Sequence, residues 1–173
     1  MTDWTSVTAV EIAGTVRSGV VSARAVLEAC LARIATHDGT IGAFTCVTGE
    51  RARARAAEID ATIARGEDPG PLAGVPFAVK NLFDVAGIAT LAGSKINRDT
   101  APASRDAVLV ERMEAAGAIL VGALNMGEYA YDFTGENSHD GPSRNPHATG
   151  HMTGGSSGGS GAAAAAGFVP LTL

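Results

Sequence analysis

Two periods of apolar and polar residues succeed one another along the chain, and each change of period marks an element. Thr8 followed by Glu11 has capping-box spacing and Gly19 is a stop, which predicts a first short helix between them. Ser22 can cap a second. There Val26, Leu27, Cys30, Leu31 and Ile34 fall on one face while Arg24, Glu28 and Arg33 fall elsewhere, so the helix packs on one side. Ala43-Phe-Thr-Cys-Val47 reads as a strand. Residues 50–65 alternate Arg, Ala, Glu and Ile without Gly or Pro, predicting a third helix with a largely solvated face, and Asp68-Pro-Gly-Pro71 breaks it. Val75-Pro-Phe-Ala-Val79 is a short apolar strand ending in Lys80, followed by the polar turn 81–84.

Beyond that turn, residues 106–116 are predicted helical, Ala118-Ile-Leu-Val121 is a strand and residues 126–132 are predicted helical again. A long Gly/Ser/Asn/Pro segment over 133–161 then precedes a short helix at 162–166 and a strand at 169–173. Helices and strands interleave, so an α/β fold is expected, with a mixed open sheet flanked by helices and the 75–79 strand inside it. A loop as long as 133–161 inside a compact domain is usually functional or disordered. There is no internal repeat and no linker clear enough to split the chain, and 173 residues with 46% hydrophobic and 18% charged content suit one domain. A natural boundary seldom falls inside an apolar strand, which leads us to expect a longer protein.

Charge and cysteine content narrow the classes of partner. Formal net charge is -5 and the thirteen Lys and Arg are scattered, which argues against direct nucleic-acid binding. The start Met1-Thr2-Asp3-Trp4-Thr5 has no basic segment leading into an apolar stretch, and no apolar run reaches bilayer length; neither a secretory leader nor membrane insertion is expected. Cys30 and Cys46 are too few for a disulfide scaffold and stand in apolar surroundings, consistent with reduced core thiols in a cytoplasmic protein.

Glycine is the abnormal component: 22 residues, eight of them between Gly141 and Gly167. The densest part, Thr153-Gly-Gly-Ser-Ser-Gly-Gly-Ser160, admits three readings. A flexible linker does not usually run directly into five alanines and a strand. A phosphate cradle would use backbone amides at the helix start, but no Lys follows as in GxxxxGK[ST]. The third reading is a catalytic serine loop. Lys80 bears on the choice. It either leaves its strand and reaches water, or is buried beside Phe77 and Val79, where desolvation disfavours the ammonium and makes the amine a proton acceptor that a serine could use. His139, His147 and His151 fall within thirteen residues, but Pro146 and Gly150 argue for a loop and no HExxH pattern exists, so no metal site is expected.

Leu72-Ala-Gly-Val-Pro-Phe-Ala-Val-Lys80-Asn81 and Gly154-Gly-Ser-Ser-Gly-Gly-Ser160, with Gly141-Pro-Ser-Arg-Asn-Pro146 before the latter, resemble the amidase-signature family in order and spacing over nearly the whole chain. The resemblance implies an amidohydrolase without cofactor or metal, of which this chain is the N-terminal portion of a single domain. It implies that Lys80 is the proton acceptor and that Ser156, following a cis peptide at Gly155, is a bridging serine, with Gly155, Ser157 and Gly158 supporting the loop. The family's nucleophile lies roughly two dozen residues beyond the bridging serine, in a segment that also donates the oxyanion-hole amides; by that reading the 173 residues alone are inactive. Ser156 or Ser157 as nucleophile is the alternative.

Ile41-Gly-Ala-Phe-Thr-Cys46, Ala78-Val-Lys-Asn-Leu-Phe-Asp84 and Leu91-Ala-Gly-Ser-Lys-Ile-Asn-Arg98 resemble family members that cleave a small carboxylated urea-like amide with release of ammonia. Asn125-Met-Gly-Glu-Tyr129 and Gly135-Glu-Asn-Ser138 also resemble the glutamine-hydrolysing component of a tRNA-dependent amidotransferase. Gly127 departs from both, which usually carry an acidic residue there. The resemblance further implies a homo-oligomer and a small accessory subunit; a non-catalytic piece that only docks a partner is the remaining alternative.

Overall fold

The computed structural model describes residues 4–173, so the first three residues of the N-terminal segment considered for a leader lie outside the described residues. The first helix, α1 (Ala9–Arg17), opens with the expected capping box: Thr8 Oγ1 accepts from the Glu11 amide at 3.3 Å, and the Glu11 carboxylate accepts from the Thr8 amide at 2.9 Å. Ser22 caps α2 (Ala23–Ile41) by accepting from the Ala25 amide. The Asp38 carboxylate then receives the Ala43 and Phe44 amides, which turns the chain into β1 (Phe44–Val47). After α3 (Gly49–Ala64) come β2 (Pro76–Lys80), α4 (Val108–Ala115), β3 (Ile119–Leu124), α5 (Gly158–Ala165) and β4 (Leu171–Thr172).

The strands form one open mixed sheet in the order β1-β3-β2-β4, with β1 antiparallel to β3 and the β3, β2 and β4 pairings parallel. Parallel strands are ordinarily covered on both faces, which is why β2 and β3 read as unbroken apolar runs. Val75, Ala78, Ile119 and Val121 pack with Ile12, Val16, Val26, Leu27, Ile59 and Ala162 on one face. Phe77, Val79 and Leu120 pack with Val85 and Val110 on the other. Phe77 is fully buried, and removing a side chain of that size from water contributes about 1.5–3 kcal/mol.

A polar tie fastens the two helices that follow this pattern. Arg51 on α3 donates to both oxygens of Asp106, at 2.9 and 2.5 Å, and to Glu114 on α4 at 2.6 Å, while Asp106 also accepts the Ala86 amide. The loop between β2 and α4 is thereby anchored at its far end.

Two expected elements differ. Residues 126–132 form no α-helix but only a 3-10 turn, Glu128–Ala130, with Tyr129 and Ala130 at positive φ. The amides a helix would use internally are taken by other loops: Gly127 donates to the Ser156 carbonyl and Tyr129 to that of Ala92. The alanine helix begins not at 162 but at Gly158. Its first turn is seated between the ends of β1 and β3, where a Cβ on Gly159 would come within 2.5 Å of the Ala43 and Asn125 carbonyl oxygens. The glycines that look like linker are thus the part of α5 that needs no side chain. Among the described residues no helix is long and apolar enough to cross a membrane.

Candidate active site

β2 carries Lys80 at its C-terminal end, in register with Leu124 of β3, and the Lys80 amide donates to the Leu173 carbonyl. The pleat directs Lys80 to the same side as Ala78, toward α5. There its Nζ donates to Ser156 Oγ at 2.7 Å and to Ser157 Oγ at 3.0 Å. Only 9% of the residue is exposed. Asn81, next in sequence, is buried and clamps the following loop: its Oδ1 accepts from the Leu91 amide, its carbonyl from the Ala92 amide, and its Nδ2 donates to Thr45 Oγ1.

The serines are presented by a turn whose Gly155–Ser156 peptide is cis. Three backbone bonds hold it: Gly155 donates to the Phe133 carbonyl, Gly127 to the Ser156 carbonyl, and Gly159 to that of Asn125. Asp132 closes the arrangement from the side. Its Oδ1 accepts the Thr134 amide at 2.7 Å and the Thr134 hydroxyl at 2.6 Å, and its Oδ2 accepts the Gly135 amide at 2.9 Å. A side chain on Gly127 would run into this carboxylate, which accounts locally for the glycine at that position.

Burial pulls the Lys80 amine below its ordinary value, and the charge of Asp132 partly opposes that shift. Asp132 itself is held below the usual carboxylate range, first by the Thr134 hydroxyl and then by the two amides. A desolvated amine touching two hydroxyls can act as an acceptor: once neutral, its lone pair can take the proton of one serine while an N–H still donates to the other.

Each residue singled out in the sequence can be located. Lys80, Ser156 and Ser157 come together, with Gly155 and Gly158 on the same turn. Ser157 does more than support the loop, since its hydroxyl reaches Nζ directly. His139 pairs with Glu128, and His147 and His151 are exposed on the 145–151 loop away from this cluster of contacts. Cys30 and Cys46 are free thiols, and burial pushes Cys30 up to about 12. Asp132 was missed. The signal available was the spacing Asp132-Phe-Thr134, an acidic residue two before a threonine, which is turn rather than helix chemistry.

This fold and cluster are those of a known family. The sequence profile described as Amidase matches residues 25–173, and the chain belongs to the amidase-signature family. It is 64% identical over 164 residues to AtzE, the 1-carboxybiuret hydrolase component of Pseudomonas sp. (strain ADP), covering 95% of this chain and 36% of that protein. It is 47% identical over 158 residues to the glutamyl-tRNA(Gln) amidotransferase component of the same kind from Anaeromyxobacter sp. (strain K), covering 91% and 32%. Among solved structures it superposes with a TM-score of 0.94 at 63% identity on an s-triazine catabolic enzyme described with a vestigial protein complex, over 95% of this chain and 36% of that one. On a bacterial aryl acylamidase of the amidase-signature family the TM-score is 0.90 at 34% identity, over 95% and 34%. The chain spans about a third of the length of the curated relatives it matches.

Proposed function

We propose that this chain forms the N-terminal part of a single amidase domain, and that the whole protein hydrolyses the C–N bond of a small amide with release of ammonia. Lys80 is the proton acceptor and Ser156 the bridging hydroxyl; Gly155, Ser157 and Gly158 support the turn. The nucleophile is a serine later in the protein than residue 173. As it attacks the carbonyl, its proton passes to Ser156 Oγ while the Ser156 proton passes to Lys80 Nζ, and the relay runs back to the departing amine. The observation that carries this reading is the 2.7 Å contact between a buried Lys80 and Ser156, with no carboxylate paired to the amine among the described residues.

Of the two substrates suggested by relatives, 1-carboxybiuret has the stronger support, 64% against 47% identity. A homo-oligomer and a small accessory subunit belong to the same proposal, since a similar solved enzyme is described with a vestigial complex. The test is ammonia release by the full-length protein from 1-carboxybiuret and from glutamine. A higher kcat/KM on 1-carboxybiuret is expected. Preference for glutamine would move the protein to the glutaminase branch, and hydrolysis of neither, with a captured partner, would favour a docking role.

A further inference from the structure

Asp132 occupies a volume that exists because two neighbouring positions have no side chain. A Cβ on Gly127 would stand against Asp132 Oδ2, 2.7 Å from its Cβ and 2.8 Å from its Cγ. A Cβ on Gly155 would meet the same carboxylate and come within 2.6 Å of the Gly135 amide nitrogen. The carboxylate is therefore wedged between the backbone at 127 and the backbone of the cis turn. Those two stretches are themselves joined, since Gly127 donates to the Ser156 carbonyl and Gly155 to the Phe133 carbonyl. Three donors, the Thr134 amide and hydroxyl and the Gly135 amide, saturate the carboxylate and favour its charged form.

That charge faces Lys80 without touching it, because no ion pair joins the two among the described residues. Nothing else charged competes for the position. The segments of β3, β4 and α5 beside β2 contain no ionisable side chain. On α2, which also packs on β2, Glu28 is paired with Arg53, Arg33 binds the Ala166 carbonyl and Asp38 caps Ala43 and Phe44. Ser156 and Ser157 are neutral.

We infer that Asp132, seated in the space left by Gly127, is a positioning residue for the Lys80–Ser156 pair: it braces the cis turn and supplies the negative charge that sets how readily Lys80 gives up its proton. This rests on the proton-relay reading of Lys80 and Ser156. An amine beside a fixed carboxylate keeps its proton to higher pH, so removing the charge makes the neutral amine available at lower pH.

Two measurements on the full-length protein test this. In ammonia release from 1-carboxybiuret or glutamine, whichever is turned over, Asp132→Asn is expected to lower kcat several-fold and to move the acid limb of the pH profile to lower pH. A lower kcat with an unmoved limb would reduce Asp132 to a scaffold and overturn the inference, while leaving the relay intact; Lys80→Ala retaining activity would instead overturn the relay. Thermal unfolding needs no substrate. Gly127→Asp and Asp132→Gly should each lower Tm, and the double variant, with its carboxylate returned from residue 127 to the same volume, should recover much of the loss. A double variant as unstable as the sum of the singles would overturn the shared-volume argument.

Discussion

Arg51 and Lys80 are both cations set largely inside the protein, yet their surroundings differ in one respect that decides what each can do. Arg51 is shared between two carboxylates, Asp106 and Glu114, and its side chain is 27% exposed. Its proton affinity is raised, chiefly by Asp106, so it is charged at every accessible pH and serves to join α3 to α4. Lys80 is more deeply placed but faces hydroxyls in place of acids, and burial lowers its proton affinity. A buried cation given a carboxylate becomes a fixed tie; one given only hydroxyls keeps a proton it can lose.

The strongest test of this contrast is Lys80→Ala in the full-length protein, where ammonia release should fall about 10³-fold with the fold intact by circular dichroism. A rate near that of the unaltered protein would erase the distinction. Ser156→Ala should cost about 10²-fold, since a water can stand in part for the lost hydroxyl, and Ser157→Ala less. Equal losses would transfer the bridging part to Ser157.

On the other side, Arg51→Met should leave kcat unchanged and lower unfolding free energy by about 2 kcal/mol, because two carboxylates lose their charged donor. Denaturant unfolding measures it, and a loss of activity at full stability would show that Arg51 is more than a tie. The smallest effect is in its pH dependence. Asp106 is held below its ordinary value of 3.8, mainly by Arg51. The stability this contributes is present above 3.8 and is lost as pH falls through the lowered folded value, so the gap between wild type and Arg51→Met should narrow in that range. Activity runs the other way along the scale for Lys80: it should rise with pH as the amine loses its proton, at a pH below the ordinary 10.5.

Much of the fold was legible because it rests on local rules. The capping box at Thr8, the one-sided face of α2 and the apolar run before Lys80 are signals within a few residues, and each element stands where those signals point. The 126–132 segment failed that kind of reading. Its residues are acceptable in a helix, but the amides of Gly127 and Tyr129 are engaged by carbonyls at 156 and 92, and no local pattern announces partners so distant in sequence.

The site divides along the same line. The sequence alone determined that a lysine ends a buried strand and that a glycine-serine turn precedes a helix, since side-chain period and glycine content are properties of the chain itself. Which serine meets the amine, that Ser157 meets it too, and that Asp132 fills the space beside Gly127 were decided only in the folded molecule. Hydrogen bonds of about 3 Å or less and the exclusion of water from Nζ depend on backbone positions brought together across more than seventy residues, and only packing of the whole sheet against α5 sets those distances.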